Sequence, residues 1–120
     1  MEIINVGAVV GEFCITLDAG DKVYDLITPY INQNSPIELD FTNVRVICTP
    51  FVNKAIGQLV GAFNADAVKR LLVINPDKIT PVGLSLIQRV INNADEYYSN
   101  PVHRQAVDSV IGQCADSDNN

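Results

Sequence analysis

Residues 37–63 read IELDFTNVRVICTPFVNKAIGQLVGAF, and the spacing of their apolar residues changes once along the stretch. In the first part, Ile37, Leu39 and Phe41 alternate with two acidic residues, which is the period-two pattern of a strand with one buried face. The apolar run continues through residues 44–47. This part of the stretch therefore predicts a strand that runs to the edge of a sheet.

The second part of the stretch has the period of a helix, about 3.6 residues. Thr49 is a good N-cap, and Pro50 suits the first helical position because its missing N–H would have no partner there. The apolar residues that follow mark one side of a helix: Phe51, Val52, Ala55, Ile56, Leu59, Val60 and Phe63. A strand that ends at a helix N-terminus leaves backbone N–H groups without intrahelical partners, so we expect the working surface at this turn.

The composition indicates one compact domain that does not bind nucleic acid. The chain has 120 residues, of which 48% are hydrophobic and 18% are charged, and this is enough apolar material for a core. Its net charge is −6, and Lys69 and Arg70 are its only adjacent basic residues. Affinity for a phosphate backbone comes from clustered Lys and Arg, whereas a chain of this charge would attract a basic or neutral protein surface.

The N-terminus and the apolar runs predict the cellular location of the protein, and the location predicts the oxidation state of its cysteines. The chain opens without a signal-peptide pattern and has no apolar run near the ~20 residues that span a bilayer, so we expect a cytoplasmic protein without membrane contact. Cys14, Cys48 and Cys114 are therefore expected to be reduced thiols. One histidine, His103, and the lack of a C-x-x-C pair argue against a metal site, and no motif indicates a cofactor.

The rest of the chain alternates between strands and helices. Strands are predicted at residues 3–10, 13–17 and 68–74, and helices at residues 18–31, 81–98 and 101–114. A bend near Gly11 suggests a hairpin between the first two strands. Asp18 is the expected N-cap of the first helix, and Pro29 is expected to kink that helix near Asp25 or to end it at Thr28.

The predicted element order is β-β-α-β-α-β-α-α. This order favours an α/β fold, with a small mixed, largely parallel sheet packed by helices. No linker divides the chain, so residues 1–115 are expected to form one domain. Within it, residues 101–115 would be an added C-terminal helix, followed by a disordered polar tail at residues 116–120.

The central stretch resembles the STAS-like family, relatives of the sulphate-transporter and anti-sigma-factor-antagonist domain. The resemblance rests on Leu39, Asp40 and Phe41 at the strand end, the run at residues 44–47, and Thr49, Pro50 and Phe51 opening the helix at residues 52–59. It follows the element order of the family over most of the chain and is specific over the central stretch alone. It implies an α/β fold of the STAS type.

In anti-sigma-factor antagonists the corresponding turn carries a serine that a partner kinase phosphorylates, and the turn and its helix dock on that kinase. In this chain Cys48 stands where those proteins have an aspartate, Thr49 falls on the first serine, and Pro50 replaces the phosphoacceptor serine. The resemblance therefore implies docking on a partner similar to a histidine-kinase-type ATPase, without the usual acceptor residue.

Four residues near the turn each have a structural and a functional interpretation. Thr49 is an N-cap alone or also a phosphoacceptor, because a helix N-terminus tolerates a phosphate. Cys48 is a small buried apolar residue or a reactive thiol. Asp40 is expected to hold the loop by accepting backbone N–H groups, and Phe51 is core or an exposed anchor for a partner.

These observations together predict a non-enzymatic protein-interaction module without catalytic residues, which docks a regulatory partner through residues 48–59. The expected partner-binding residues are Thr49, Pro50, Asn53, Lys54 and Gln58. Two alternatives stay open. The first is a thiol-dependent enzyme or redox protein that uses Cys48, and the second is a domain that only self-associates, as a homodimer through residues 101–114.

Overall fold

Six short strands are present in the computed structural model, which describes residues 1–99 and 114–116. In chain order they are β1 (Glu2–Asn5), β2 (Phe13–Cys14), β3 (Ile37–Asp40), β4 (Val46–Cys48), β5 (Leu72–Ile74) and β6 (Cys114–Asp116). One sheet has the order β1–β3–β5, and both of its pairs are parallel. The other has the order β2–β4–β6, in which β4 pairs parallel with β2 and antiparallel with β6.

The helices make up most of the remaining described chain. They are α1 (Val6–Val10), α2 (Leu17–Asn32), α3 (Thr49–Val52), a π-helical turn (Asn53–Gly57), α4 (Gln58–Ala62), α5 (Ala65–Leu71), a 3-10 turn (Pro76–Lys78) and α6 (Pro81–Ser99). The segments from α3 to α4 follow one another directly, and we call residues 49–62 the central helix. It begins at the residue after β4, so the second sheet leads straight into it.

The core is built around β3 and the central helix. The largest fully buried side chains are Phe51, Ile27, Ile37, Leu39, Ile56, Leu59, Ile87, Val6, Val23, Val52, Val68 and Val90. They come from α1, α2, β3, the central helix, α5 and α6, and they belong to one continuous cluster. Both α2 and α6 pack against the central helix, so most of that helix is inside the molecule.

The crossing of α2 and the central helix depends on Gly20. A Cβ atom at this position would lie 2.6 Å from Cβ of Lys54 and 2.8 Å from the backbone oxygen of Phe51. Real Cβ atoms do not approach other atoms so closely, and the backbone oxygen cannot turn aside as a flexible side chain would. The missing side chain therefore lets the two helices approach closely at this point, which brings the N-terminal end of α2 next to Lys54.

The predicted fold class is confirmed, since the chain is mixed α/β with small, largely parallel sheets packed by helices. The start of α6 also follows the prediction. The N–H of Gly83 donates to Oγ1 of Thr80 at 3.0 Å, and Pro81 is the first residue of the helix. A hydroxyl cap followed by proline therefore sets this helix start as the sequence indicates.

The predicted first strand is too long, and the predicted hairpin is wrong. β1 ends at Asn5, whose Oδ1 accepts the N–H of Ala8 at 3.1 Å and so caps α1. The apolar residues that follow have the composition of a strand, but this cap starts a helix instead. β1 and β2 then lie in different sheets, and each of them pairs with a later strand.

Two predictions about α2 are also wrong. Thr16, not Asp18, is its N-cap, and Oγ1 of Thr16 accepts the N–H of Ala19 at 3.1 Å. The helix runs through Pro29 to Asn32. Both Pro29 and Asp25, the residue whose carbonyl loses its bond, are on the exposed side, so water can satisfy that carbonyl and the helix need not end.

Two predicted strands are shorter than their apolar runs. β3 ends at Asp40, and the run at residues 44–47 contributes to β4 in the second sheet. Between them the chain turns at Asn43, which has a positive φ of 69°. The run at residues 68–74 begins as a helix, because Oδ1 of Asn64 accepts the N–H of Ala67 at 2.7 Å and caps α5.

The predicted C-terminal helix falls largely outside the described residues. Residues 114 and 115, predicted as its end, lie instead in β6, as does residue 116 of the predicted tail. Their backbone pairs with β4, and Ala115 is aligned with Ile47. The proposed self-association through residues 101–114 and the one-domain prediction for residues 1–115 stay predictions.

Candidate functional site

Asp40 ends β3 and stabilises the turn that follows. Its Oδ1 accepts the N–H of Thr42 at 2.8 Å, and its Oδ2 lies 3.3 Å from Nζ of Lys78. Hydrogen bonds from Thr42, with the Lys78 ammonium as a smaller contribution, hold the pKa of the Asp40 carboxyl below its ordinary value. The side chain is only 12% exposed, so this carboxylate joins the first sheet to the loop before α6.

The junction between β4 and the central helix is inside the protein, and the expectation that it opens onto the surface is wrong. Thr49 is fully buried, Cys48 is 3% exposed, and Phe51 is fully buried in the core. The physical reasons are that β4 is the middle strand of its sheet, between β2 and β6, and that α2 and α6 pack against α3. The short strand β6 is distant from β4 in the sequence, so the residues around β4 do not predict this pairing.

Thr49 consequently does not have the role predicted from its type. It is the first residue of α3, and Cys48 occupies the N-cap position. Because its side chain is fully buried, a kinase cannot reach the hydroxyl in this conformation. Pro50 is half-buried, and neither Thr49 nor Pro50 lines the groove described below.

Asn53, Lys54 and Gln58 are the residues of the central helix that the structure does bring together. All three are half-buried and line one groove of about 270 Å³. The π-helical turn carries the first two of them. Nζ of Lys54 lies 3.6 Å from Oδ1 of Asp21 on α2, an ion pair that is partly open to solvent.

The other residues of this groove come from α2 and α6. Leu17 opens α2 with a side chain that is 55% exposed, and Tyr98 near the end of α6 is 54% exposed. The two tyrosine rings of Tyr97 and Tyr98 meet edge to face, with their centroids 4.9 Å apart. We call this set the α2–α6 groove: Leu17, Asn53, Lys54, Gly57, Gln58, Ala94, Tyr97 and Tyr98.

Tyr98 is held in place by a glycine. A Cβ atom on Gly61 would lie 2.5 Å from Cζ of the Tyr98 ring, so the ring rests directly on the backbone of the central helix. The sequence predicts the helix at residues 81–98 but not this contact. The signals that were available are the Tyr-Tyr pair near the end of an amphipathic helix and the apolar Leu17 directly after a capping threonine.

A second groove of about 270 Å³ lies around the turn after Asp40, and its lining mixes polar and apolar residues from residues 41–47 and 77–80. Asp40 itself is engaged by Thr42 and Lys78 beside it. In the part of the chain that the structure describes, no group of three or more His, Cys, Asp or Glu side chains is placed to hold a metal ion.

The two cysteines with described side chains are not available as thiolates. Cys48 is disulfide-bonded, so the expectation that the cysteines are reduced is not met there. Cys14 is a free thiol but fully buried, and burial raises the pKa of this thiol to about 12. Neither cysteine therefore offers the exposed, low-pKa sulfur that thiol catalysis requires.

Comparison with known proteins adds one finding. A family model described as "STAS-like domain of unknown function (DUF4325)" matches residues 19–80, just over half of the chain. The match includes the whole of the central stretch, residues 37–63, and it confirms the resemblance inferred from those residues. No curated protein and no solved structure matches the chain significantly. Among the described residues, no helix is both long enough and apolar enough to cross a membrane.

Proposed function

Because this chain belongs to the family of STAS-like domains of unknown function, we propose that it is a non-enzymatic protein-interaction module that docks a regulatory partner in the α2–α6 groove. The observation that carries the proposal is the pair of exposed apolar side chains, Leu17 and Tyr98, among the lining residues of the groove that Asn53, Lys54 and Gln58 share. The central helix is the docking helix expected from the sequence. The proposed contact is made by Asn53, Lys54 and Gln58 on its side, and not by Thr49 and Pro50 at its N-terminal turn.

The chemistry of the groove suits a protein partner. Interfaces bind through a few large apolar or aromatic anchors surrounded by polar groups, and tyrosine is enriched among them. Here Leu17 and two tyrosines supply the apolar area, and the amides of Asn53 and Gln58 supply donors and acceptors. Tyr98 is also positioned before any partner binds, because its ring rests on Gly61, and this lowers the entropy lost on binding.

Charge indicates the kind of partner surface. The chain has a net charge of −6, and exposed Asp18 and half-buried Asp21 follow Leu17 on α2. A basic or neutral partner surface would be attracted and an acidic one repelled. The resemblance to anti-sigma-factor antagonists makes a histidine-kinase-type ATPase the partner class to test first.

Two observations support a role without catalysis. The carboxylate of Asp40 has a lowered pKa and is engaged by Thr42 and Lys78, so it is poorly suited to general acid–base work near neutral pH. Cys48 is in a disulfide and Cys14 is buried, which disfavours the thiol-dependent alternative.

The proposal is tested with two groove variants and one control. Lys54→Glu reverses the charge in the groove, and Leu17→Ser removes an exposed apolar anchor. Lys69→Glu makes the same charge change in a separate groove on α5 and α6. The immobilised wild-type chain and the three variants are incubated with an extract of the source cells, and the captured proteins are quantified by mass spectrometry.

We expect one protein to be captured by the wild type and by Lys69→Glu, and we expect Leu17→Ser to reduce its capture about tenfold, since a tenfold change corresponds to about 1.4 kcal/mol of binding. Lys54→Glu makes the groove more negative, so it should strengthen the capture of a basic partner surface. Circular dichroism would verify that all variants are folded. Equal capture by the groove variants and the wild type would contradict docking in this groove.

A further inference from the structure

Cys48 is disulfide-bonded, and the chain itself indicates its partner. The sequence has three cysteines, and Cys14 is a free, buried thiol. The third is Cys114, whose backbone lies directly opposite Cys48 in the antiparallel pairing of β4 and β6. We propose that Cys48 and Cys114 form a reversible intrachain cystine, opened and closed by exchange with a low-molecular-weight thiol–disulfide couple of the glutathione class.

The strand register suits such a bond. Residues that face each other across an antiparallel pair have Cα atoms about 4.5–5.5 Å apart. A disulfide requires a Cα separation of about 4.4–6.8 Å, so the two positions need no backbone movement. Cys14 is placed differently, because it lies on β2, the other neighbour of β4, where its backbone is aligned with Ile47.

The cystine would fasten a strand that is otherwise weakly held. β6 has three residues, and in the part of the chain that the structure describes it pairs with β4 alone. It comes from the far end of the chain, so closing the loop between β4 and β6 without a covalent bond loses considerable entropy. A cystine at the first residue of β6 removes that loss and keeps the edge of β4 covered.

Opening the cystine would uncover the edge of β4. Its backbone N–H and C=O groups on the β6 side would lose their partners, and a free strand edge can accept another segment. β4 leads directly into Thr49 and the central helix, so reduction would also loosen the cover of that junction. The cystine lies in the second sheet and shares no residue with the α2–α6 groove.

The chemistry is two consecutive exchange steps. The thiolate of one cysteine attacks a sulfur of the small disulfide, forms a mixed disulfide and releases one small thiolate. The thiolate of the second cysteine then attacks the protein sulfur of the mixed disulfide and releases the second small thiolate. The two cysteines lose two electrons and two protons, the small disulfide is reduced to two thiols, and excess small thiol drives the reverse reaction.

The bond is tested on the full chain purified without reductant, alkylated and digested with trypsin under non-reducing conditions. Cleavage after Arg45, Lys54 and Arg104 places Cys48 in peptide 46–54 and Cys114 in peptide 105–120. We expect these peptides to be cross-linked, and Cys14 to be alkylated only after denaturation. The cross-link should persist in Cys14→Ser and be lost in Cys114→Ser.

Equilibration in buffers of varied glutathione ratio should convert the cross-link fully and reversibly in one two-electron transition. Amide hydrogen exchange at residues 46–48 should become faster on reduction in the wild type, and should already be fast in Cys114→Ser. Alkylation of both Cys48 and Cys114 in the oxidised buffer, a cross-link from peptide 46–54 to the Cys14 peptide, or a disulfide-linked dimer would each overturn the proposal.

Discussion

Asp40 shows how one side chain connects a strand end to a distant loop and makes the fold sensitive to acid. Its carboxylate accepts the N–H of Thr42 and pairs with Lys78, and both partners favour the charged form. The pKa of this carboxyl is therefore lower in the folded protein than in the unfolded chain. Its contribution to stability is fully present above the unfolded pKa of about 4, and it is lost as the pH falls through the folded pKa.

Replacing Asp40→Asn should reduce the free energy of unfolding at pH 7 by about 1 kcal/mol, because a charge-assisted hydrogen bond and an ion pair are lost. The difference from the wild type should shrink as the pH is lowered below about 4, and it should disappear below the folded pKa, where the wild-type carboxyl is itself protonated. Urea unfolding over a range of pH measures both effects.

Asp77→Asn is the matched control, since Asp77 is an exposed carboxylate in the same loop. A difference between Asp40→Asn and the wild type that stays constant into strong acid would contradict the role assigned to Asp40.

At the scale of the elements, two glycines near the central helix differ in how much space surrounds them. At Gly20 on α2 an added Cβ would meet the backbone oxygen of Phe51 at 2.8 Å, so the helices would have to separate. At Gly57 an added Cβ would lie 3.5 Å from its nearest neighbours, which is ordinary contact. The same substitution should therefore have opposite consequences at the two positions.

Gly20→Ala should lower the free energy of unfolding by about 1–3 kcal/mol, the usual effect of overpacking a close contact. Gly57→Ala should change it little or raise it slightly, because alanine has the higher helix propensity. Urea unfolding of both variants at pH 7 is the measurement. Equal destabilisation by both would show that the two helices do not cross at Gly20 as described.

The elements also show which features the sequence can predict. The alternation at residues 37–40 and the cap at Thr80 are local signals, and β3 and the start of α6 form where these signals lie. The apolar residues after Asn5 predict a strand, but they form α1 because the side chain of Asn5 caps a helix there. The burial of Thr49 depends on distant elements, since α2 and α6 pack against α3, and no local pattern carries that information.

The candidate site divides in the same way. Asn53, Lys54 and Gln58 share one face because of the helical period, and the sequence places them together. Leu17 and Tyr98 join them only because α2 and α6 cross the central helix, and such crossings are set by packing. An interaction surface assembled from three elements is therefore partly invisible until the helices have been placed.

For the whole molecule, the central helix connects parts that would otherwise be separate. It follows the second sheet directly and packs against α2 and α6, while its buried side chains share one core with β3 of the first sheet. Within residues 1–99 and 114–116, neither sheet has more than three strands, and small sheets need packing partners to be stable. Loss of the central helix should therefore unfold both sheets.

We expect the described sheets and helices to unfold together in one transition. Far-ultraviolet circular dichroism would follow the helices, and tyrosine fluorescence would follow the rings on α2 and α6, since the chain has no tryptophan. The two urea curves should coincide at the same midpoint. Separate midpoints would show that the described elements do not unfold as one unit.

The π-helical turn at residues 53–57 gives the chain an unusual tolerance of length. Such a turn holds one residue more than an α-helical turn, so the loss of a single residue there would let the hydrogen bonds close as an ordinary α-helix. Elsewhere in a helix, the same loss turns every later side chain by about 100°. In this segment Leu59 and Val60 would keep facing inward, and a lineage could therefore shed or regain one codon here without disturbing the interior.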